Sequence, residues 1–377
     1  MSELRVLDNL ASVDAAQWDA LIDDGNPFVS YSFLRGMEQH GCLRRDYGWQ
    51  AHHLVIVEGD QLIAAAPAYL KGNSHGEFVF DFAWANAFER AGGDYYPKLL
   101  CAAPYSPVPG PRLLARSEET KKLLVAALVA ETERLGLSSV HVNFLLETDL
   151  PAFDERWLQR FDWQFHWHNR GYRHFEAFLT GLTGKKRKNI RQERRQASES
   201  GLQIAMEAGS TIGEGDWREL HALYETTFDM KGNHAAMTLP FFRHLGRTLG
   251  DRVQVATARM EGRIVAMALF MVGNSTLYGR YWGSLVEVQG LHFELCYYLG
   301  IEFCIANRLQ TFEPGAQGEH KMARGFLPTR THSRHYLMNE SFDTAVRNAL
   351  VHEARSREAY YDELMEHSPY AATPAQP

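Results

Sequence analysis

HLVIVEGDQLIAAAPAYL, residues 53–70, and VQVATARMEGRIVAMALFMV, residues 253–272, share one plan. Each is an apolar run, then Glu-Gly, then a second apolar run rich in alanine. Glycine supplies the positive φ that a tight turn needs, so each stretch predicts a β-hairpin. Glu58 and Glu261 lie 203 positions apart. A second echo follows the first. Thr120–Leu135 has the spacing of an amphipathic helix, and Val140–Leu146 reads as a strand. Gly290–Asn307 and Leu309–Glu313 repeat that order, with Leu137 and Leu309 172 positions apart. The first copy is therefore longer by 31 residues, and Gly72–Arg112, with five prolines from Pro97 to Pro111, is the visible insert.

Hairpin, helix and strand, twice over, predict one mixed α/β unit duplicated along 377 residues, a length that suits two domains. The expected division is 1–180, carrying the Pro-rich insert, and 181–377, opening on a basic helix over Lys185–Gly201 and closing on a helix over Glu340–His367. Two short aromatic strands are expected across Trp163–Leu179, a strand over Arg330–Met338, and a frayed tail at SPYAATPAQP.

Composition narrows the function. Hydrophobic residues make up 45% and charged residues 23%, values of an ordinary globular chain rather than a disordered or fibrous one. A net charge of -7 argues against a protein that binds polyanions over its whole surface, and leaves room for a local basic patch. Four scattered cysteines without a CxxC suit a reducing compartment. The early acids and the lack of an apolar h-region give no signal peptide, and no run reaches the ~18 residues that span a bilayer. A cytoplasmic protein is expected. His52-His53, His166 with His168, and His332 with His335 lack carboxylate or thiolate company at ligand spacing, so no metal is expected.

Three stretches carry chemistry. In Lys185–Arg195, seven of eleven residues are basic. Helical spacing puts Lys188, Arg191 and Arg195 on one face, which attracts phosphates of an RNA or a coenzyme; a plain solvated face is the alternative. In FEPGAQGEHKMARGF, Phe312–Phe326, the loop after a buried strand holds Glu319, His320, Lys321 and Arg324. Lys321 has the charge to neutralise the oxyanion of an acyl-transfer intermediate, and Glu319 or His320 the basicity to take a proton from an attacking amine. A glycine-bearing surface turn is the bland reading. In LYGRYWGS, Leu277–Ser284, alternation places Tyr278, Arg280 and Trp282 on one face, a clamp for a carboxylate or phosphate or simply an amphipathic strand.

The order PYSPVPGPRLL, then RHFEAFLTGLTGKKRKNIRQERR, then GAQGEHKMARGFLPTRTHS resembles the bacterial FemAB-like family of peptidoglycan biosynthesis or recognition proteins. The resemblance covers nearly the whole chain. It implies an α/β (α+β) fold of two tandem GNAT-like domains with mixed sheets, GNAT naming the acyl-CoA N-acyltransferase-like superfamily. Fem transferases move an amino acid from aminoacyl-tRNA to an amine of a peptidoglycan precursor. Their basic helix resembles Lys185, Arg187, Asn189, Ile190 and Arg191, and their late turn resembles Lys321–Phe326. Fem enzymes carry Phe-Lys just before a Lys-Gly-Phe, where this chain has Met322-Ala323 before Arg324; the role of key cation is thus open between Lys321 and Arg324.

The implied activity is acyl or aminoacyl transfer forming an amide on a small-molecule or peptide amine, with tRNA held through Lys185–Arg195 and no tightly bound cofactor. The alternatives are an N-acyltransferase that uses acyl-CoA and a non-catalytic recognition protein for cell-wall precursors. Acetyl-CoA enzymes of the superfamily hold pyrophosphate on a Gly-rich loop at a helix N-terminus. EVQGLHFELC, Glu287–Cys296, has one glycine there, and SEETKKLL in the first copy has none. Donor, acceptor and oligomeric state are not fixed by the sequence.

Overall fold

The computed structural model describes residues 2–229, 232, 234–316 and 318–371. It forms two compact units, one of the chain up to Trp163 with Arg330–Tyr360, the other of Gln164–Thr329 with the chain from Tyr361.

The first unit carries β1 (Ser2–Leu7), β2 (Trp49–Ala51), β3 (His53–Glu58), β4 (Gln61–Ala66), β5 (Ala68–Lys71), β6 (Lys98–Cys101), β7 (Leu114–Ala115) and β8 (Ser139–Leu145). β1, β3, β4 and β7 pair antiparallel in that order. β8 pairs parallel with β6, and β6, β5 and β2 continue antiparallel. The hairpin read at Glu58-Gly59 is present, with Gly59 at φ 60 and Glu58 still paired to Gln61. The helix Glu118–Arg134 starts where the Ser117 hydroxyl accepts the Thr120 N–H, with Glu118 and Glu119 in its first turn. It lays Leu124, Val125 and Leu128 on Val140 and Val142 of β8 and on Leu99 of β6.

β8 is buried on both faces, and the two faces differ in kind. Val140 and Val142 enter the apolar core, while alternation sends Ser139, His141 and Asn143 the other way. On that polar side the insert brings Ser74, Glu77 and Asp81 onto the buried Lys98.

The second unit holds the end of β9 (Leu158–His168), then β10 (Gln203–Ala208), β11 (Val253–Met260), β12 (Arg263–Val272), β13 (Thr276–Ser284), β14 (Thr311–Glu313) and the start of β15 (Leu327–Leu337). β10 to β13 pair antiparallel in sequence order. The β11–β12 hairpin closes on Glu261-Gly262, both at positive φ, in the two-residue loop that matches strand twist. β13 and β14 are parallel and joined by the helical run Leu291–Ala306, and β14 also pairs with Trp167 and His168 of β9.

The units depart from a division at 180/181. His332–Leu337 of β15 pair with β8, which ties residues 330–360 to the first unit. Residues 164–180 belong to the second. Strand partners so far apart in sequence leave no local pattern. The expected pair of strands across 163–179 is one strand to His168 and then a helix, Phe175–Thr180, capped by the His174 ring on the Ala177 N–H. Of the expected frayed tail, residues 372–377 lie outside the described residues, while the Tyr370 hydroxyl donates to the Gly325 carbonyl at 2.7 Å.

Candidate functional site

The site is built where two parallel strands part. Pairing of β13 with β14 ends at Tyr278 opposite Glu313, and β13 runs on to Ser284 paired with β12 only. At the parting point β13 carries a bulge. Leu269 of β12 faces Tyr281 and Phe270 faces Gly279, so Arg280 is the extra residue. The bulge overturns the expected alternation: Tyr278 and Tyr281 share one face, and Trp282 lies on the other. The Trp282 ring meets His292 edge-on at 5.0 Å, whereas Tyr281 packs on Tyr224 at 4.7 Å. A bulge is a backbone irregularity that period-two reading does not see.

Arg280 is buried beside Glu313, with Nη2 3.5 Å from Oε2, and donates from Nη1 to the Gly279 carbonyl at 2.7 Å. Burial pulls its pKa down, partly offset by the Glu313 charge. Lys321 lies on the turn Glu319–Arg324 that follows β14. Its side chain is buried, and its ammonium donates to the Gly315 carbonyl at 2.6 Å. Among the described residues no carboxylate pairs with it. Burial, helped by the positive charge of Arg280, pushes its pKa down to about 7.

Arg324 is engaged otherwise. Nε and Nη2 donate to Glu193 at 3.2 and 2.7 Å, Nη1 to the His320 carbonyl at 2.8 Å, and the guanidinium lies 3.3 Å over the Phe293 ring. Tyr298 donates to the same Glu193 carboxylate. The His320 ring is 2.9 Å from the Tyr297 hydroxyl through Nε2, and burial with Arg324 and Lys321 nearby lowers its pKa. Its neighbour Glu319 is exposed. The turn thus brings His320, Lys321 and Arg324 to one place, with Arg280 acting on Lys321 and Tyr278 at the last strand pair.

The helix Gly184–Ser198 anchors through buried Ile190 and Ala197. Lys188, Arg191 and Arg195 are all exposed. Arg191 pairs with Glu176 at 2.6 Å, while Arg194 turns inward to Glu294 and Glu302 at 2.8 and 2.7 Å. The run is therefore amphipathic in charge: one row is solvated, and another clamps the helix to its neighbour. Sequence reading missed Glu193 and Glu294. The signal for Glu193 was present, since it is the one acid in Lys185–Arg195. Sequence reading also missed the ionic cluster of the first unit, whose members Ser74, Glu77, Asp81 and Lys98 follow no period. Among the described residues no group of three or more His, Cys, Asp or Glu side chains is placed to hold a metal.

With this geometry in place, the comparisons are specific. The family model for peptidoglycan biosynthesis/recognition proteins of the FemAB-like type matches residues 9–372. The chain belongs to the FemAB-like family. Among solved structures it is similar to FemX, with 10% identity over 91% of this chain and 100% of that one and a TM-score of 0.53. It is also similar to the C-terminal domain of a putative lysylphosphatidylglycerol synthetase from Agrobacterium fabrum, with 13% identity over 90% and 95% and a TM-score of 0.55. A tandem GNAT protein from the clavulanic acid pathway matches at 10% identity over 90% and 99%, with a TM-score of 0.44. At such identities the likeness is one of fold. No curated protein matches the chain. FemAB-like membership and the two mixed α/β units agree with the family and the fold class expected from sequence. Among the described residues no helix is long and apolar enough to cross a membrane.

Proposed function

We propose that this FemAB-like protein is an acyltransferase whose second unit joins the acyl group of an activated ester to an amine, with an aminoacyl-tRNA as donor and a peptidoglycan-precursor amine as acceptor. The observation that carries the reading is Lys321, a buried ammonium at the parting of β13 and β14 whose one hydrogen bond among the described residues is to a backbone carbonyl. A buried charge without a counter-charge costs stability and is retained where a negative charge visits.

In the reaction the amine attacks the ester carbonyl and a C–N bond forms. Electrons move to the carbonyl oxygen, and Lys321 stabilises the oxyanion. The amine loses a proton to the His320 imidazole, kept neutral by its lowered pKa. The C–O bond then breaks, and the departing alkoxide takes the proton that the His320 imidazolium now holds. A proton on Lys321 that is loosely held in the empty site is bound more tightly once the oxyanion appears, so the interaction is strongest in the transition state. Arg324 already faces the Glu193 carboxylate and is assigned to binding. Lys188 and Arg195, exposed on the basic helix, are assigned to RNA phosphates.

The test is a product assay. Aminoacyl-tRNA and acyl-CoA are each offered with a lysine-bearing muropeptide, and the amide is sought by mass spectrometry. Product from the aminoacyl ester is expected. Product from acyl-CoA alone assigns the other donor, and binding of the muropeptide without product from either makes the protein a recognition module.

A further inference from the structure

Beside Lys321 lies a patch of rings of which the reaction above uses only the His320 edge, as a base. Trp282, His292, Phe293 and His320 are half-buried or exposed. Trp282 meets His292 at 5.0 Å, His292 meets Phe293 at 5.3 Å and His320 at 6.4 Å, and Phe293 meets His320 at 6.2 Å. Tyr297 backs them from the buried side, 5.5 Å from His292 and 6.1 Å from Phe293. Among the described residues no hydrogen bond or ion pair engages the ring nitrogens of Trp282 or His292. Burial, with His320, Arg324 and Lys321 beside it, lowers the His292 pKa to about 4, so the shelf is uncharged at neutral pH. Its backbone is built for the purpose of holding rings out. Glu294–Tyr298 is a π-turn, an insertion that recurs at functional sites. Gly318, at φ 119, lets the His320 ring fold back to within 2.4 Å of where a β-carbon would stand.

Neutral rings bordered by cations fit a planar, π-rich group that carries negative charge, which is the chemistry of a nucleotide. Two observations separate an acyl-nucleoside from coenzyme A, which also has a base. The shelf begins at His320, adjacent in sequence to Lys321, and the Lys321 charge acts on both the His320 and His292 rings, so a base stacked there and the reacting carbonyl share one locality. In an aminoacylated RNA end the ester sits on the ribose of the terminal base; in coenzyme A the pantetheine arm separates adenine from thioester. The second observation is at Gly290, where the superfamily's pyrophosphate loop meets its helix. A β-carbon on Gly290 would stand 2.2 Å from the Glu193 carbonyl oxygen, and Gln196 hydrogen-bonds Gln289 at 3.0 Å. The basic helix already covers that helix N-terminus.

We infer that the Trp282–His292–Phe293–His320 shelf is the subsite for the terminal base of an acyl-RNA donor, a step that rests on the aminoacyl-ester reading above. The probes are a short RNA ending in CCA with an amide-linked amino acid, and the same RNA lacking only its terminal base. Wild-type protein is expected to bind the abasic probe on the order of 10- to 100-fold more weakly. Trp282→Ala and His292→Ala should bind both probes alike, near the abasic level, with unchanged melting, and Trp282→Phe should restore most of the difference. Equal binding of the two probes by wild type overturns the shelf, as does base discrimination that survives in both alanine variants. Full turnover with an abasic aminoacyl-RNA would also remove the shelf while leaving the transferase reading intact. Binding of neither probe would remove both. Coenzyme A that displaces the intact probe from wild type, and loses affinity in Trp282→Ala, assigns the base to the coenzyme and overturns the acyl-RNA assignment.

Discussion

Lys98 in the first unit and Lys321 in the second are both buried, and their surroundings are opposite. Lys98 donates to Asp81 at 2.5 Å, Glu77 at 2.9 Å and the Ser74 hydroxyl at 2.9 Å. Burial alone would lower its pKa, but the Glu77 and Asp81 charges outweigh it and hold it above the ordinary value. Lys321 has a single carbonyl and a depressed pKa. Lys71 resembles Lys321 in part: among the described residues no carboxylate pairs with it, it donates to the His75 carbonyl at 3.1 Å, and burial pulls its pKa down to about 7, but its ammonium also rests 3.7 Å over the Trp49 ring. A cation whose acceptors are filled by its own chain is architecture. A cation left short of acceptors has capacity for a ligand.

The sharpest way to break this contrast is at Lys98. Lys98→Met leaves Asp81 and Glu77 buried without their cation and should destabilise by about 3–5 kcal/mol in urea unfolding. Adding Asp81→Asn and Glu77→Gln should recover most of the loss, because the uncompensated charges go too. A Lys98→Met protein as stable as wild type would mean the cluster is not what holds the insert.

Lys321→Ala should instead lower turnover by about 10²–10³ while leaving the unfolding midpoint unchanged or raised. In wild type, kcat/KM should fall as pH rises through about 7, where Lys321 loses its proton in the free protein. Lys321→Arg should move that limb to higher pH. A rising limb at the same place would make Lys321 the base for the acceptor amine.

Arg324→Ala should raise KM several-fold and spare kcat, an effect of about 1 kcal/mol, since its charge is already compensated by Glu193. A loss of kcat at constant KM would move the oxyanion role from Lys321 to Arg324.

A last effect, on stability and not on turnover, belongs to Glu77. Burial raises its pKa to about 7 despite Lys98. A carboxyl with a raised folded pKa contributes its full stability below the unfolded value near 4.5, and that contribution is lost as pH rises through about 7. Glu77→Gln should flatten the stability profile across that window by up to about 3 kcal/mol, read as melting temperature against pH. Asp81, whose pKa is lowered, acts in the acid range below about 3.8 and should leave this window untouched.

Much of the fold was legible because the hairpins at 53–66 and 253–272 and the helices at 118–134 and 340–366 are local patterns with glycine or polar punctuation. The β15–β8 ladder was not, because Arg334 and Val142 become partners only in three dimensions. At the candidate site, glycine spacing and three adjacent ionisable residues marked the turn at 319–324. The Arg280 bulge and the Glu193 clamp on Arg324 depend on register and packing, to which composition is blind. The polar face of β8 was hidden for a related reason: the strand expected from Val140 onward carries no local sign that the insert covers Ser139, His141 and Asn143.

The return of β15 to the first unit has a consequence for how the protein is made. β8 is hydrogen-bonded on one side by β6 and on the other by His332–Leu337. During translation that second side stays open until nearly the whole second unit has been synthesised. At ~5–20 residues per second the wait is roughly 10–40 s. For that interval the nascent chain exposes a bare strand edge, so the emerging polypeptide is most vulnerable to chaperone capture or mispairing before its last eleventh-hour strand arrives.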